Sequence, residues 1–352
     1  KIMTRLAIPS IAQYAVVANA DMRFGAGTEV FGPIHSNGGI RFDGLAHNLV
    51  SSSQASYNDP DSDDCNSNNS FGVHTCLSPA DPSPPAPVPN KPTIFEAGRQ
   101  FPIPAVNFAG ITANLAQMKA DAQASGKYFA GSGGLGYRIV LKVDDTFDIY
   151  RVNSLVNPPS GCSSSQSGWG TWSIRTTAGS ETFLANHPFP INGIILVEDH
   201  LWIEGQINTA RLTIASARFP DIPATRTNII VNNDLSYTNY NGQDVIGLIA
   251  QNNFNVGLKS EDDLRIDAAL IAQNGRAGRH IYSSSCGAEY IRSVLTLYGM
   301  IGTSQRYGFA YTNGTGYQIR NINYDANLLY GPPPSFPLTS AQYTTISWEE
   351  IK

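Results

Sequence analysis

Between Ile194 and Gly302 the apolar and polar positions follow a recurring phrase: a few aliphatic or β-branched residues, an Asn, Asp or Gln corner, then more β-branched residues ending near a glycine. The copies fall at 197–205, 231–237, 250–257 and 272–278. Their corner residues Asp199, Asn233, Asn252 and Asn274 stand 34, 19 and 22 positions apart, and the long gap holds a further strand-like run at 211–216. One coil therefore takes about twenty residues, a period typical of stacked repeats. A short strand that buries one face needs a neighbour to cover it, and a near-fixed period lets each coil cover the last, which predicts a parallel β-solenoid. Asn suits such corners because it tolerates the left-handed conformation and bonds nearby backbone.

The same patterning divides the rest of the chain. Residues 6–17 read as the end of an apolar helix whose start lies upstream, so 1–22 is predicted as an N-terminal helix belonging to a truncated anchor. Residues 23–89 hold the first coils, with a corner at Ser36-Asn37-Gly38-Gly39, followed by acidic and proline-rich loops. The prolines of 79–92 exclude that stretch from a sheet interior, because proline lacks the backbone donor. Residues 90–192 form a small α/β insertion. In it Ile111, Leu115, Met118 and Ala122 share one helical face, Gly126 is placed as a stop, and Tyr137, Ile139, Leu141 and Val143 alternate ahead of a second strand at 146–152. The solenoid body spans 193–331, and 332–352 is an irregular tail containing Trp348. The fold class expected is mainly β, a parallel β-solenoid with an N-terminal helix and an α/β insertion.

Composition narrows the functional classes. Charged residues make up 14% of the chain, against roughly a quarter in an ordinary soluble protein. The net charge is -5 with no run of Lys or Arg, so nucleic acid has no evident electrostatic attraction to this chain. Cys65, Cys76, Cys162 and Cys286 all lie in polar, loop-like stretches without CxxC spacing, which points to structural disulfides and an oxidising compartment. Cys65 with Cys76 would close a local loop and leave Cys162 with Cys286, although the sequence alone permits three pairings. No stretch reaches the roughly 18 apolar residues of a membrane span.

Candidate chemistry is sparse. Gly131-Ser132-Gly133-Gly134-Leu135-Gly136 matches a dinucleotide-binding fingerprint, but a helix precedes it and a strand follows, the reverse of the order that motif needs. Asp59, Asp61, Asp63 and Asn66 have oxygens at spacings a calcium ion can use, yet Pro60 and the missing glycine spoil the EF-hand pattern. A solvated acidic loop is the reading carried forward, with no cofactor or metal expected. The acidic residues of the coils do not recur in one register with a basic partner, and the six histidines form no HExxH pair. Tyrosines concentrate in the last quarter, from Tyr282 to Tyr330, as the packed end of the coils or as a contact face for glycan or protein.

The segments 32–44, 98–126, 244–257, 266–275 and 323–337 resemble a little-studied family of bacterial type IV pilus assembly proteins, minor-pilin-like surface proteins with an N-terminal membrane helix and a β-solenoid body. The resemblance runs along nearly the whole chain, and its motifs are structural. It implies export through a pilin-type signal, a place at a pilus or cell surface beside other pilus subunits, and adhesion or DNA uptake as roles, with no catalytic residues to carry over. The family's processed N-terminus, a hydrophobic span with a glutamate, is not in this sequence. The net charge favours a glycan or protein receptor over DNA, and any membrane contact would run through the anchor helix. The competing expectation is a secreted carbohydrate-active enzyme, a lyase or glycosidase, on the same scaffold.

Overall fold

The computed structural model describes residues 2–7, 10–61, 65, 68–339 and 344–350. Its parallel pairings sort into three ladders that the chain visits in turn. The first contains Lys127–Phe129, Ile194–Val197, Arg211–Ser216, Val245–Ala250 and the second half of Asp263–Ala272. It continues through the end of Ile291–Thr303 and then, out of chain order, through Val16–Ala18, Ile34–Ser36, Val50–Ser52 and Arg99–Gln100. The second joins Gly136–Leu141, Leu201–Ile207, Ile229–Ile230, Phe254–Val256 and Ala277–Arg279, with Met22–Phe24, Ile40–Phe42 and Val73–His74 forming the matching pairs in the early coils. The third runs from Leu235–Tyr237 through the first halves of the two long strands to Gly316–Tyr324, Glu29–Phe31 and Leu45–Ala46.

The chain thus begins in the middle of the stack. Val16 pairs with Ile301 and Val30 with Ile322, so the first coil lies on the last. From there the early coils run to one end, helix α1 (Gly110–Ala124) leads on, and Lys127–Phe129 restarts at the other end. This is the one α-helix among the described residues. Ile111, Leu115, Met118 and Ala122, the face expected from the sequence, are buried on the outer side of the first ladder, where the helix packs on Ile194–Val197 and Lys127–Phe129. A side chain at Gly126 would collide with the Ile194 carbonyl, so glycine is required where the helix ends against the sheet. Further along this ladder Val245–Ala250 is buried at every position, as a parallel strand covered on two sides requires.

Three expectations need correction. The N-terminal segment is not helical: Ile2–Ala7 is a strand, Ile11–Gln13 a single 3-10 turn, and Val16–Ala18 a rung of the first ladder. Pro9 interrupts any helix there, and Val16-Val17 suit a pleated, two-sided core. The tail is not wholly irregular, since Thr344–Glu350 pairs antiparallel with Ile2–Ala7 and each strand supplies the partner the other lacks. Within 90–192 the strands Lys127–Phe129 and Gly136–Leu141 belong to the ladders, and only Thr146–Val152 and Glu181–Pro188 extend outward as antiparallel strands. The strand expected at 211–216 is present as Arg211–Ser216. No helix among the described residues is long and apolar enough to cross a membrane.

Candidate functional site

Because the first coil stacks on the last, residues almost three hundred positions apart meet. Arg23 follows the Val16–Ala18 rung, and Arg306 and Tyr307 follow its partner strand Ile291–Thr303. Together with Arg276, Arg320 and Tyr311 they line a cavity of about 730 Å³, within the range of roughly 300–1,000 Å³ for small-molecule sites. Among the described residues its carboxylate is Asp61, whose Oδ2 accepts from Arg306 Nη2 at 2.5 Å and lies 3.8 Å from Arg23 Nη1. Arg276 is 9% exposed and donates from Nη1 to the Tyr311 hydroxyl at 2.7 Å. Its Nη2 is buried without a partner among the described residues. Arg320 donates to the carbonyls of Tyr317 and Gln318. Burial pushes the Tyr307 phenol above its ordinary range, against the pull of the Arg320 and Arg306 charges.

A second cavity of about 380 Å³ is walled by Trp202, Ile203 and Ile230. Arg138 crosses it and binds Glu181 through Nε and Glu204 through Nη1, each at 2.5 Å, while lying over the Tyr150 ring. The two carboxylates form an ion triplet with one guanidinium, and Asn233 donates to Glu204 from the rim.

The sequence-predicted residues separate into different roles. Cys65 bonds Cys76, and Cys162 bonds Cys286. The second bridge pins the loop after Thr146–Val152 to a small cluster of Leu258, Tyr282 and Trp169. His74 brings a ligand atom within 4.8 Å of the Cys65 and Cys76 sulfurs, but those sulfurs are bonded to each other. Asp59 and Asp61 of the acidic loop face different cations: Asp59 sits 3.3 Å from His74 Nε2 and 3.8 Å from Arg41, whereas Asp61 turns into the large cavity. Burial alone would raise the Asp59 pKa, and His74, the Asp61 amide and Arg41 outweigh it and hold the carboxyl below its usual range. Asp63 and Asn66 lie outside the described residues.

Asp199, Asn252 and Asn274 share the corner between the first and second ladders. Asp199 accepts from the backbone and hydroxyl of Ser132, fixing the glycine-rich 131–136 loop, and pairs with Arg218. Asn252 donates to Asn228 Oδ1, and Asn274 to the Gln251 carbonyl of the coil before it. Asn233 departs from this register. It is exposed at the next corner, between the second and third ladders, and Asn228 occupies the position expected of it. The long connection at 217–228 delays the corner and displaces the register read from the sequence.

The arginines of the large cavity were not singled out by sequence reasoning. They are scattered singly along the chain, and only Tyr307 and Tyr311 belonged to a noticed pattern.

No family model matches the chain, and no curated protein does. Among solved structures, the competence-associated pilin ComZ from Thermus thermophilus aligns with 99% of this chain and 77% of that one, at 11% identity and a TM-score of 0.38. A likeness this distant assigns no function to the chain.

Proposed function

We propose that this chain is the extracellular body of a pilus-associated or surface-anchored protein, a parallel β-solenoid that binds and does not catalyse. The three ladders, visited in turn by short strands, support the solenoid reading, and the two disulfides fit an oxidising compartment. The observation that carries the binding role is the chemistry of the large cavity. It presents guanidinium and phenol groups around a carboxylate already held in an ion pair, a set for recognition and not for nucleophilic or acid–base work. The carboxylates of the second cavity share Arg138, whereas glycoside hydrolysis needs one carboxyl to give a proton and the other to act as base or nucleophile. Partners on this reading are other pilus or surface subunits and a receptor.

Fractionation of source cells with an antibody to residues of the body, paired with protease shaving of intact cells, tests the location. Surface-exposed, protease-accessible protein is expected, and retention in the cytosol overturns the reading. Polysaccharide cleavage by the purified chain that disappears in Glu204→Gln would overturn its non-catalytic part.

A further inference from the structure

Five Asn-Gly pairs stand in the sequence, at 37–38, 192–193, 241–242, 274–275 and 313–314. Glycine leaves the main-chain nitrogen that follows the asparagine unhindered, so that nitrogen can attack the asparagine side-chain amide. The sequence makes the five pairs equivalent, and the fold separates them. The Gly38 amide donates to the Ser36 hydroxyl at 3.0 Å, and the Gly193, Gly275 and Gly314 amides donate to the carbonyls of Pro190, Asn252 and Tyr311 at 2.9, 3.1 and 2.9 Å. A nitrogen so engaged must give up its bond before it can act as a nucleophile. Of the five, only the Gly242 amide donates to no acceptor among the described residues.

The side chains differ in the same direction. Asn37 is tied to the Val106 backbone through both Oδ1 and Nδ2, Asn192 bonds Asp121, Ser125 and Ile194, and Asn274 donates to the Gln251 carbonyl. Asn241 is exposed, and its Oδ1 accepts from the Gln243 amide at 3.1 Å. That contact holds the side-chain carbonyl over the turn and puts a donor on the oxygen that gains negative charge when Cγ is attacked. Asn313 makes the same kind of turn, with Oδ1 accepting from the Thr315 amide at 3.2 Å, and Gly314 has φ +82° against +85° for Gly242. The engaged Gly314 amide is what sets that pair apart.

We propose that Asn241-Gly242 is a site of spontaneous deamidation, which converts this turn to an aspartyl or isoaspartyl linkage as the folded protein ages. The Gly242 nitrogen loses its proton to hydroxide and bonds to Asn241 Cγ; the Cγ–Nδ2 bond breaks, Nδ2 leaves as ammonia, and a succinimide closes. Water then adds to one imide carbonyl and breaks its bond to nitrogen, so that one water is consumed and one ammonia released overall. Opening at Cγ gives aspartate, whereas opening at the main-chain carbonyl gives isoaspartate and lengthens the chain by one carbon before Gly242. The Gly242 carbonyl accepts from Arg211 Nη1 at 2.8 Å, and Arg211 Nη2 donates to the carbonyls of Gly331 and Pro332. The isoaspartyl linkage therefore shifts one end of the contact that anchors the chain at 331–334.

Incubation of the folded, disulfide-bonded full chain in mildly alkaline buffer tests this, followed over time by peptide mapping with mass spectrometry and by enzymatic methylation of isoaspartate. Asn241 should be lost roughly fivefold or more faster than the asparagine of any other pair, the rate factor of one net hydrogen bond. In the reduced chain unfolded by denaturant the five rates should converge. Hydrogen exchange at 331–336 should quicken in the isoaspartyl fraction and stay unchanged in Asn241→Asp, which adds the charge without the extra carbon. Deamidation at Asn313 or another pair as fast as at Asn241 in the folded chain overturns the proposal, as does an intact Asn241. The same preference for Asn241 in the unfolded chain overturns it too, by assigning the effect to sequence. Unchanged exchange at 331–336 in the isoaspartyl fraction overturns the consequence drawn through Arg211. The display reading stands or falls separately, on location.

Discussion

The coils after Ile194 and the coils before Gln100 belong to the same ladders but are held together differently. In the later coils the first-ladder strands are longer, and Val245–Ala250 and Asp263–Ala272 place aliphatic side chains on both sides of that ladder, with Leu248, Leu270 and Ile301 inside and Ile249, Ile271 and Met300 outside. In the early coils the strands have two or three residues, as in Ile34–Ser36, Ile40–Phe42 and Val73–His74. Such short rungs offer little apolar area, and polar groups take over. Arg41 is fully buried and donates to Asp43 at 2.7 Å, while Asp43 also accepts from the Thr75 hydroxyl and the Cys76 amide. Asp81 anchors the proline-rich 79–92 crossing by accepting from Arg99 and from the Thr75 amide. On the first ladder the longer later rungs thus supply apolar area that the two- and three-residue early rungs lack, and around the early rungs buried polar groups take its place.

Removing one member of each device gives the largest effects. Arg41→Ala leaves Asp43 buried without this cation and Asp59 with His74, and is expected to destabilise the early coils by about 3–5 kcal/mol. Leu248→Ala opens a cavity in the later coils at a cost of about 2–5 kcal/mol. Native-state hydrogen exchange would locate each loss. Should Arg41→Ala open the later coils as much as the early ones, the two regions form one cooperative unit and the contrast fails.

A finer contrast lies between the corners. Asn252 links its coil to Asn228 and sits half-buried, so Asn252→Leu should cost about 1–3 kcal/mol through unsatisfied partners. Asn233 is exposed at another corner, and Asn233→Leu should stay within about 0.5 kcal/mol of the parent. Urea midpoints of the two variants check this. Equal losses would restore the register in which both residues fill the same place.

What was legible in the sequence follows the same division. The helix face from Ile111 to Ala122 and the strand Arg211–Ser216 were readable because periodicity and β-branching act locally there. The N-terminal segment was misread as a helix because a short apolar run has no period of its own, and its strand character comes from pairing with Ile301 and the Thr344–Glu350 strand. The arginine cavity was invisible for a related reason: Arg23, Arg276, Arg306 and Arg320 are isolated charges until the first coil closes on the last. Non-local stacking created the site.

The smallest expected effect is also the sharpest in sign, because a histidine in each region responds oppositely to pH. His47 joins three successive early coils, with Nε2 at 2.7 Å from Glu29 and Nδ1 at 2.7 Å from Glu96, and its ring stacks on Phe31. The bonds to Glu29 and then Glu96 raise its pKa, so its stabilising contribution is complete below the unfolded value of about 6.5 and is lost as pH climbs through the raised folded value. His280 in the later coils is buried with neither ring nitrogen partnered, and burial followed by the charges of Arg276 and Arg279 pushes its pKa down to about 3. The unfolded chain there takes up a proton that the folded chain refuses, so stability falls as pH drops from about 6.5 towards 3. Moving from pH 8 to pH 5.5 should therefore strengthen the His47 bonds across the early coils, against the opposite response of His35, whose pKa burial lowers, while weakening the later coils. His47→Gln should flatten the first trend, and His280→Gln the second. Parallel pH responses in the two regions, measured by hydrogen exchange, would show that the imidazoles do not govern this difference.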